Sequence, residues 1–143
     1  MKSPATIPSG EVPANAPLRV ALVEDQREVR ESWGRLVGSF PEFRCVCSCA
    51  SGEEAVRMVP AAHPDVILMD IFLPRMSGIE CTARLKAVMP SAKIVILTAS
   101  DDDELVFLAL EAGADGYLLK RTQPEHLRAA LLDVLSGGGA DDQ

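Results

Sequence analysis

Positive charge is in short supply: 14 Lys plus Arg stand against 21 Asp plus Glu in 143 residues, a formal charge of -7. A diffuse electrostatic grip on nucleic acid or anionic lipid is therefore not expected of this chain. No apolar run reaches the ~18 to 20 residues of a membrane span. The N-terminus lacks the basic-then-apolar layout of a secretory signal, so the expectation is a cytoplasmic protein with no membrane partner. Cysteine is sparse too. Cys45, Cys47, Cys49 and Cys81 are too few to staple a chain of this length, and a reducing compartment keeps them as thiols. Two histidines, His63 and His126, have no partner pattern and are expected at the surface.

What remains is 48% hydrophobic and 24% charged, the balance of one globular domain. Residues 1–17 hold four prolines and one glycine with no helical or strand period, and are expected to be a disordered leader. Ser136 and Gly137 to Gly139 break the last helical pattern, so 137–143 is expected to be a linker stub and 18–136 the folded unit.

Within that unit five apolar runs begin at Leu18, Phe43, Val66, Lys93 and Gly116, spaced by 25, 23, 27 and 23 residues. Such spacing accommodates a strand and a crossover helix and is too long for hairpins. Helical periods fill the gaps, for example Val29, Trp33, Leu36 and Val37, or Leu127, Ala130, Leu131 and Val134. Ser51 with Glu54, and Thr122 with Glu125, fit the capping box, and Pro124 suits a first helical turn. Repeated βα units with right-handed crossovers predict an α/β doubly wound five-stranded parallel sheet with five helices, a flavodoxin-like arrangement. Ligands bind such sheets at the carboxyl ends of the strands.

At those ends stand Glu24 and Asp25, Asp70, Thr98 and Lys120. One pair of like charges ~4 Å apart costs about 4 kcal/mol at an effective dielectric of ~20, so converging carboxylates need positive charge. Lys120 supplies one unit, and a hard oxygen-liganded cation, Mg2+, would supply the rest. The loop after the first strand, Glu24-Asp25-Gln26-Arg27-Glu28, repels a bare phosphate. With Mg2+ the sign reverses, and the site suits a phosphoryl group arriving at a carboxylate nucleophile.

The blocks VALVED (20–25), DVILMDIFLPRMSGIE (65–80), IVILTAS (94–100) and EAGADGYLLK (111–120), with the helix after Thr122, resemble the receiver domain of bacterial two-component response regulators. The resemblance covers 18–136 and implies strand order 2-1-3-4-5. By the same resemblance Asp70 is the phosphoacceptor, Asp25 a direct Mg2+ ligand, Glu24 its acidic neighbour acting through water, and the Phe72 carbonyl a further ligand. Thr98 matches the switch hydroxyl, Ala99 the small residue beside it, Lys120 the ammonium, and Tyr117 the aromatic whose ring turns inward. Pro74 and Gly78 fit the loop after the acceptor. The implied donor is a sensor histidine kinase or a histidine phosphotransfer protein, and neither histidine here resembles a phosphorelay histidine. The fourth helix, fifth strand and fifth helix form the implied partner face, a candidate homodimer surface.

The chain departs from the pattern in two places. Arg121 follows Lys120 where many receivers carry a proline after a cis bond, which is nearly confined to proline. In this the chain is similar to the subfamily with a LuxR-type helix-turn-helix output; that output would need further residues, so the chain is expected to be a single-domain regulator or the receiver of a longer transcription factor. Phe72 is bulky for a position that governs access to the acyl phosphate, and is expected to slow attacking water.

Two other functions compete: an aspartate-nucleophile phosphatase and a degenerate receiver serving as a scaffold. The phosphatases of this type carry a second Asp two residues after the nucleophile, and that position is Phe72. Retention of all five key residues speaks against the scaffold. The expectation is a signalling domain that catalyses its own phosphoryl transfer and dephosphorylation, not an enzyme acting on free substrates.

Elsewhere the bland readings hold. Alternate strand residues are ~6.6 Å apart, too far for Cys45, Cys47 and Cys49 to ring a zinc, so they read as small core side chains. Asp101 to Glu104 suit the positive end of a helix. Trp33 reads as core or as part of a docking face.

Overall fold

The computed structural model describes residues 16–99 and 102–137. Most of the expected leader and stub, and Asp101, lie outside the described residues. Five strands and five helices alternate: β1 (Leu18–Val23), α1 (Arg27–Ser39), β2 (Phe43–Cys49), α2 (Gly52–Ala62), β3 (Val66–Asp70), α3 (Gly78–Val88), β4 (Lys93–Thr98), α4 (Asp103–Glu111), β5 (Gly116–Leu119) and α5 (Pro124–Leu135). The sheet is parallel throughout, in the order β2-β1-β3-β4-β5, as expected.

Alternation along the strands splits the core in two. Val20, Leu22, Val66, Leu68, Val95 and Leu97 face α1 and α5, where Trp33, Val37, Leu127 and Leu131 meet them. Ala21, Val23, Ile67, Met69, Ile94 and Ile96 face α2, α3 and α4. Every residue of β3 is buried, the reason its sequence is continuously apolar up to the terminal aspartate. Each such large side chain contributes about 1.5–3 kcal/mol by leaving water. Among the described residues no helix is long and apolar enough to cross a membrane.

Of the two capping expectations one holds and one is corrected. Ser51 does cap α2, accepting from the Glu54 amide while the Glu54 carboxylate accepts from the Ala50 amide. Thr122 does not cap α5: the last non-helical residue is Gln123, extended at φ -63° and ψ 147°, with no side-chain cap bond. Proline disfavours the helical region for the residue before it, so Pro124 moves the helix start one residue on. An unanticipated cap appears at α3, where Ser77 accepts from the Glu80 amide at 3.1 Å.

The cysteine geometry also differs from the simple strand estimate. A register shift between Val20 and Ala21 leaves Val46 as an extra residue in β2. Cys45 therefore packs toward the α1–α5 side, and Cys47 and Cys49 toward the other. The Cys47 and Cys49 sulfurs lean to within 3.7 Å, and Cys45 and Cys47 are only half-buried rather than core. Burial pushes the Cys81 thiol up to about 12 and the Cys49 thiol upward as well, so neither is a thiolate at neutral pH.

Candidate functional site

The strand order reverses between β1 and β3, and the polar residues gather at the carboxyl ends of these strands. β1 delivers Glu24 and Asp25, and β3 ends on Asp70. Glu24 is fully buried and Asp70 nearly so, at 0% and 3% exposure, whereas Asp25 is open to solvent. Carboxylate oxygens of the three lie within 4.8 Å of one another, the one such grouping of potential metal ligands among the described residues.

The first positive charge comes from the end of β5. Lys120 Nζ donates to Glu24 Oε1 at 2.9 Å and lies 3.5 Å from Asp70 Oδ1. The other oxygen of Glu24 accepts from the Gln26 amide at 2.9 Å, and its carbonyl accepts from Arg30 at 2.8 Å. Asp70 Oδ1 accepts from the Phe72 amide at 3.4 Å. Thr98, buried at the end of β4, accepts the Lys120 amide on its carbonyl at 2.8 Å, fixing the β5 end beside the β4 end.

Burial raises the pKa of Glu24, though the Gln26 amide and Lys120 oppose it. Burial likewise raises Asp70 against the pull of Lys120. Burial alone would lower Lys120, but its bond to Glu24 and the charge of Asp70 outweigh this, and its pKa is raised. One ammonium thus undercompensates the carboxylates. Three hard oxygen donors converging with a deficit of positive charge fit a divalent cation such as Mg2+.

The remaining expected residues fall as follows. Ala99 is exposed just beyond Thr98. Tyr117 is half-buried and packs against the core on the α2–α4 side, opposite Ile96. Phe72 is 52% exposed directly after the acidic site, and Pro74 is exposed. Gly78 donates to the Ile71 carbonyl at 2.9 Å, and a Cβ there would lie 2.1 Å from the Asp70 carbonyl oxygen; only glycine allows this approach. All peptide bonds among the described residues are trans, including the one before Arg121. His63 and His126 are exposed. Asp102 caps α4 through the Glu104 and Leu105 amides.

Trp33 resolves to the core, at 7% exposure, and its ring centroid lies 5.6 Å from Lys120 Nζ. Its helical spacing marked it as apolar; its contact with a residue of β5's far end had no signal in the sequence. The same is true of Arg30.

Residues 20–132 match the response regulator receiver domain family. Among curated proteins, the chain is 41% identical over 120 residues to the uncharacterized transcriptional regulatory protein YxjL of Bacillus subtilis, covering 84% of this chain and 55% of the relative. It is 34% identical to the nitrate/nitrite response regulator protein NarL of Escherichia coli, covering 85% and 56%. The chain thus spans about half the length of these relatives. Among solved structures, a LuxR-family two-component response regulator from Aurantimonas superposes with a TM-score of 0.81 at 34% identity, over 85% of this chain and 87% of that one.

Proposed function

Because the chain belongs to the response regulator receiver family, we propose that it is a phosphoryl-accepting switch whose acceptor is Asp70. The observation that carries this reading is the convergence of Glu24, Asp25 and Asp70 at the switch point of the sheet, with Lys120 Nζ paired to Glu24 and Asp70. A carboxylate oxygen of Asp70 attacks the phosphorus of a phosphohistidine on a sensor histidine kinase or a histidine phosphotransfer protein, in line with the leaving nitrogen. The P–N bond breaks, a P–O bond forms, and the imidazole leaves with a proton from solvent. Asp25, Asp70 and the Phe72 carbonyl, with Glu24 through water, would hold Mg2+, which neutralises charge on the phosphoryl oxygens.

Lys120 then pairs the new phosphoryl oxygens, and Thr98 donates its hydroxyl to one of them, with Ala99 leaving room. The acyl phosphate adds about -1.5 to -2 charge if it resembles other phosphomonoesters. Movement of Thr98 frees space for the Tyr117 ring and biases the surface of α4, β5 and α5, which we assign as the output and homodimer face. Attack of water on the acyl phosphate resets the switch, so the chemistry is confined to the domain's own phosphorylation. Residues 18–136 form the unit that does this, and the reading implies a cytoplasmic protein. Its absence of spare positive charge suits a receiver that leaves nucleic acid to a separate output domain.

Incubation with acetyl phosphate and Mg2+, read by mass and by oligomeric state, tests the reading. The wild type gains one phosphoryl group and Asp70→Asn gains none. A wild type that never gains one under any donor overturns it.

A further inference from the structure

Resting on the phosphoryl-acceptor reading above, we propose that Trp33 is a positioning residue for Lys120, its indole face holding the ammonium in place beside the Glu24 and Asp70 carboxylates. The ring centroid is 5.6 Å from Nζ, inside the ~6 Å range of a cation–π contact, and tryptophan is the strongest such partner. The ring is 7% exposed and packed among Val20, Leu22, Val37 and Leu127, so it cannot follow a moving side chain. Lys120 has a flexible four-carbon stem and is about a quarter exposed. Rigid aromatic and mobile ammonium share a groove with Val29 and Leu36 of α1.

Glu24, Asp70 and the Trp33 ring face the ammonium. The two carboxylates change partners during the reaction, Asp70 by gaining the phosphoryl group and Glu24 by sharing its charge with a cation. The ring is neutral and takes part in neither event. It is therefore the contact that keeps Lys120 in register through the transfer. A leucine would fill the same core but offer the ammonium nothing.

The test compares wild type, Trp33→Phe and Trp33→Leu for the initial rate of phosphoryl incorporation from acetyl phosphate at saturating Mg2+, per folded molecule, with each variant's unfolding midpoint measured in parallel. Positioning predicts a graded series, with Trp33→Phe retaining most of the rate and Trp33→Leu losing about threefold to tenfold, the size of a partly desolvated cation–π contact. Equal rates per folded molecule in all three overturn the proposal, as do losses that merely track stability. Trp33 is the chain's single tryptophan, so its emission gives a readout independent of phosphorylation. Lys120→Met alters the emission of the folded protein if the contact exists, and an unchanged spectrum overturns the contact. A wild type that takes no phosphoryl group sinks the acceptor reading instead, while the emission arm still decides whether Trp33 holds Lys120.

Discussion

The Lys120 ammonium donates to the Glu24 carboxylate at 2.9 Å across 96 residues of sequence, closer than its approach to Asp70 at 3.5 Å. Glu24 is fully buried, and removing its cation leaves a charge with nowhere to go. Lys120→Met is expected to destabilise the fold by about 3 kcal/mol, as for other broken buried pairs, with a lower urea midpoint and an unchanged slope. Glu24→Gln added to that variant restores part of the loss, because the stranded charge is gone. An undiminished midpoint in Lys120→Met would sink this account.

Asp70 and Glu24 have pKa values raised by burial, and this sets the sign of their effect on stability. Between the unfolded and the folded values the folded chain holds protons the unfolded chain has lost, so stability falls as pH rises through that window. At neutral pH both groups are net costs. Asp70→Asn should therefore be more stable than wild type at pH 7, and the gap should close as pH drops into the ordinary carboxylate range. Thermal unfolding across pH checks this; a destabilised Asp70→Asn at pH 7 contradicts it.

Mg2+ should raise the unfolding temperature of the wild type, since a ligand that binds only the folded state stabilises it by mass action. Protons compete for the raised carboxyls, so the gain grows with pH. Asp25→Asn should lose most of the Mg2+ effect while folding normally, because Asp25 is exposed. Chelation should abolish phosphoryl incorporation.

Gly78→Ala tests the packing under Asp70. Its Cβ would meet the Asp70 carbonyl oxygen at 2.1 Å and the Ile71 Cα at 2.7 Å, and neither is a flexible side-chain end. A loss of roughly 2–3 kcal/mol is expected from such overpacking, together with slower phosphorylation as the Asp70 backbone shifts. Denaturation midpoints and incorporation rates measure the two effects separately.

Phe72→Ala removes an aromatic ring that is 52% exposed beside Asp70, so the change in stability should stay within about 0.5 kcal/mol. The acyl phosphate should hydrolyse severalfold faster as water gains access. Decay of the phosphorylated species after removal of the donor gives the rate, and an unchanged lifetime dismisses the ring as a barrier.

Much of this was readable from residues alone, for a definite reason. Strands covered on both faces must be apolar along their buried length, so β3 and β4 announce themselves as VILM and IVIL, and the polar residue that ends such a run stands at the sheet's rim. That places Asp70, Thr98 and Lys120 without any knowledge of contacts. Capping was legible at Ser51, where side chain and amide are three residues apart, and misread at Thr122, where Pro124 acted on its neighbour's backbone. The bulge in β2 has no sequence signal, because an extra residue in a strand changes no local pattern; it separates Cys45 from Cys47 and Cys49 only once β1 is beside it.

Periodicity and strand-end chemistry, both local properties of the chain, determined the parallel α/β architecture and the identity of the acidic site. Only the tertiary structure decided how the charges are shared: that Lys120 binds Glu24 before Asp70, that Arg30 supports the Glu24 carbonyl, and that Trp33 backs the ammonium. Those are distances between residues far apart in sequence, and they follow from how helices dock on a twisted sheet, which no one segment encodes.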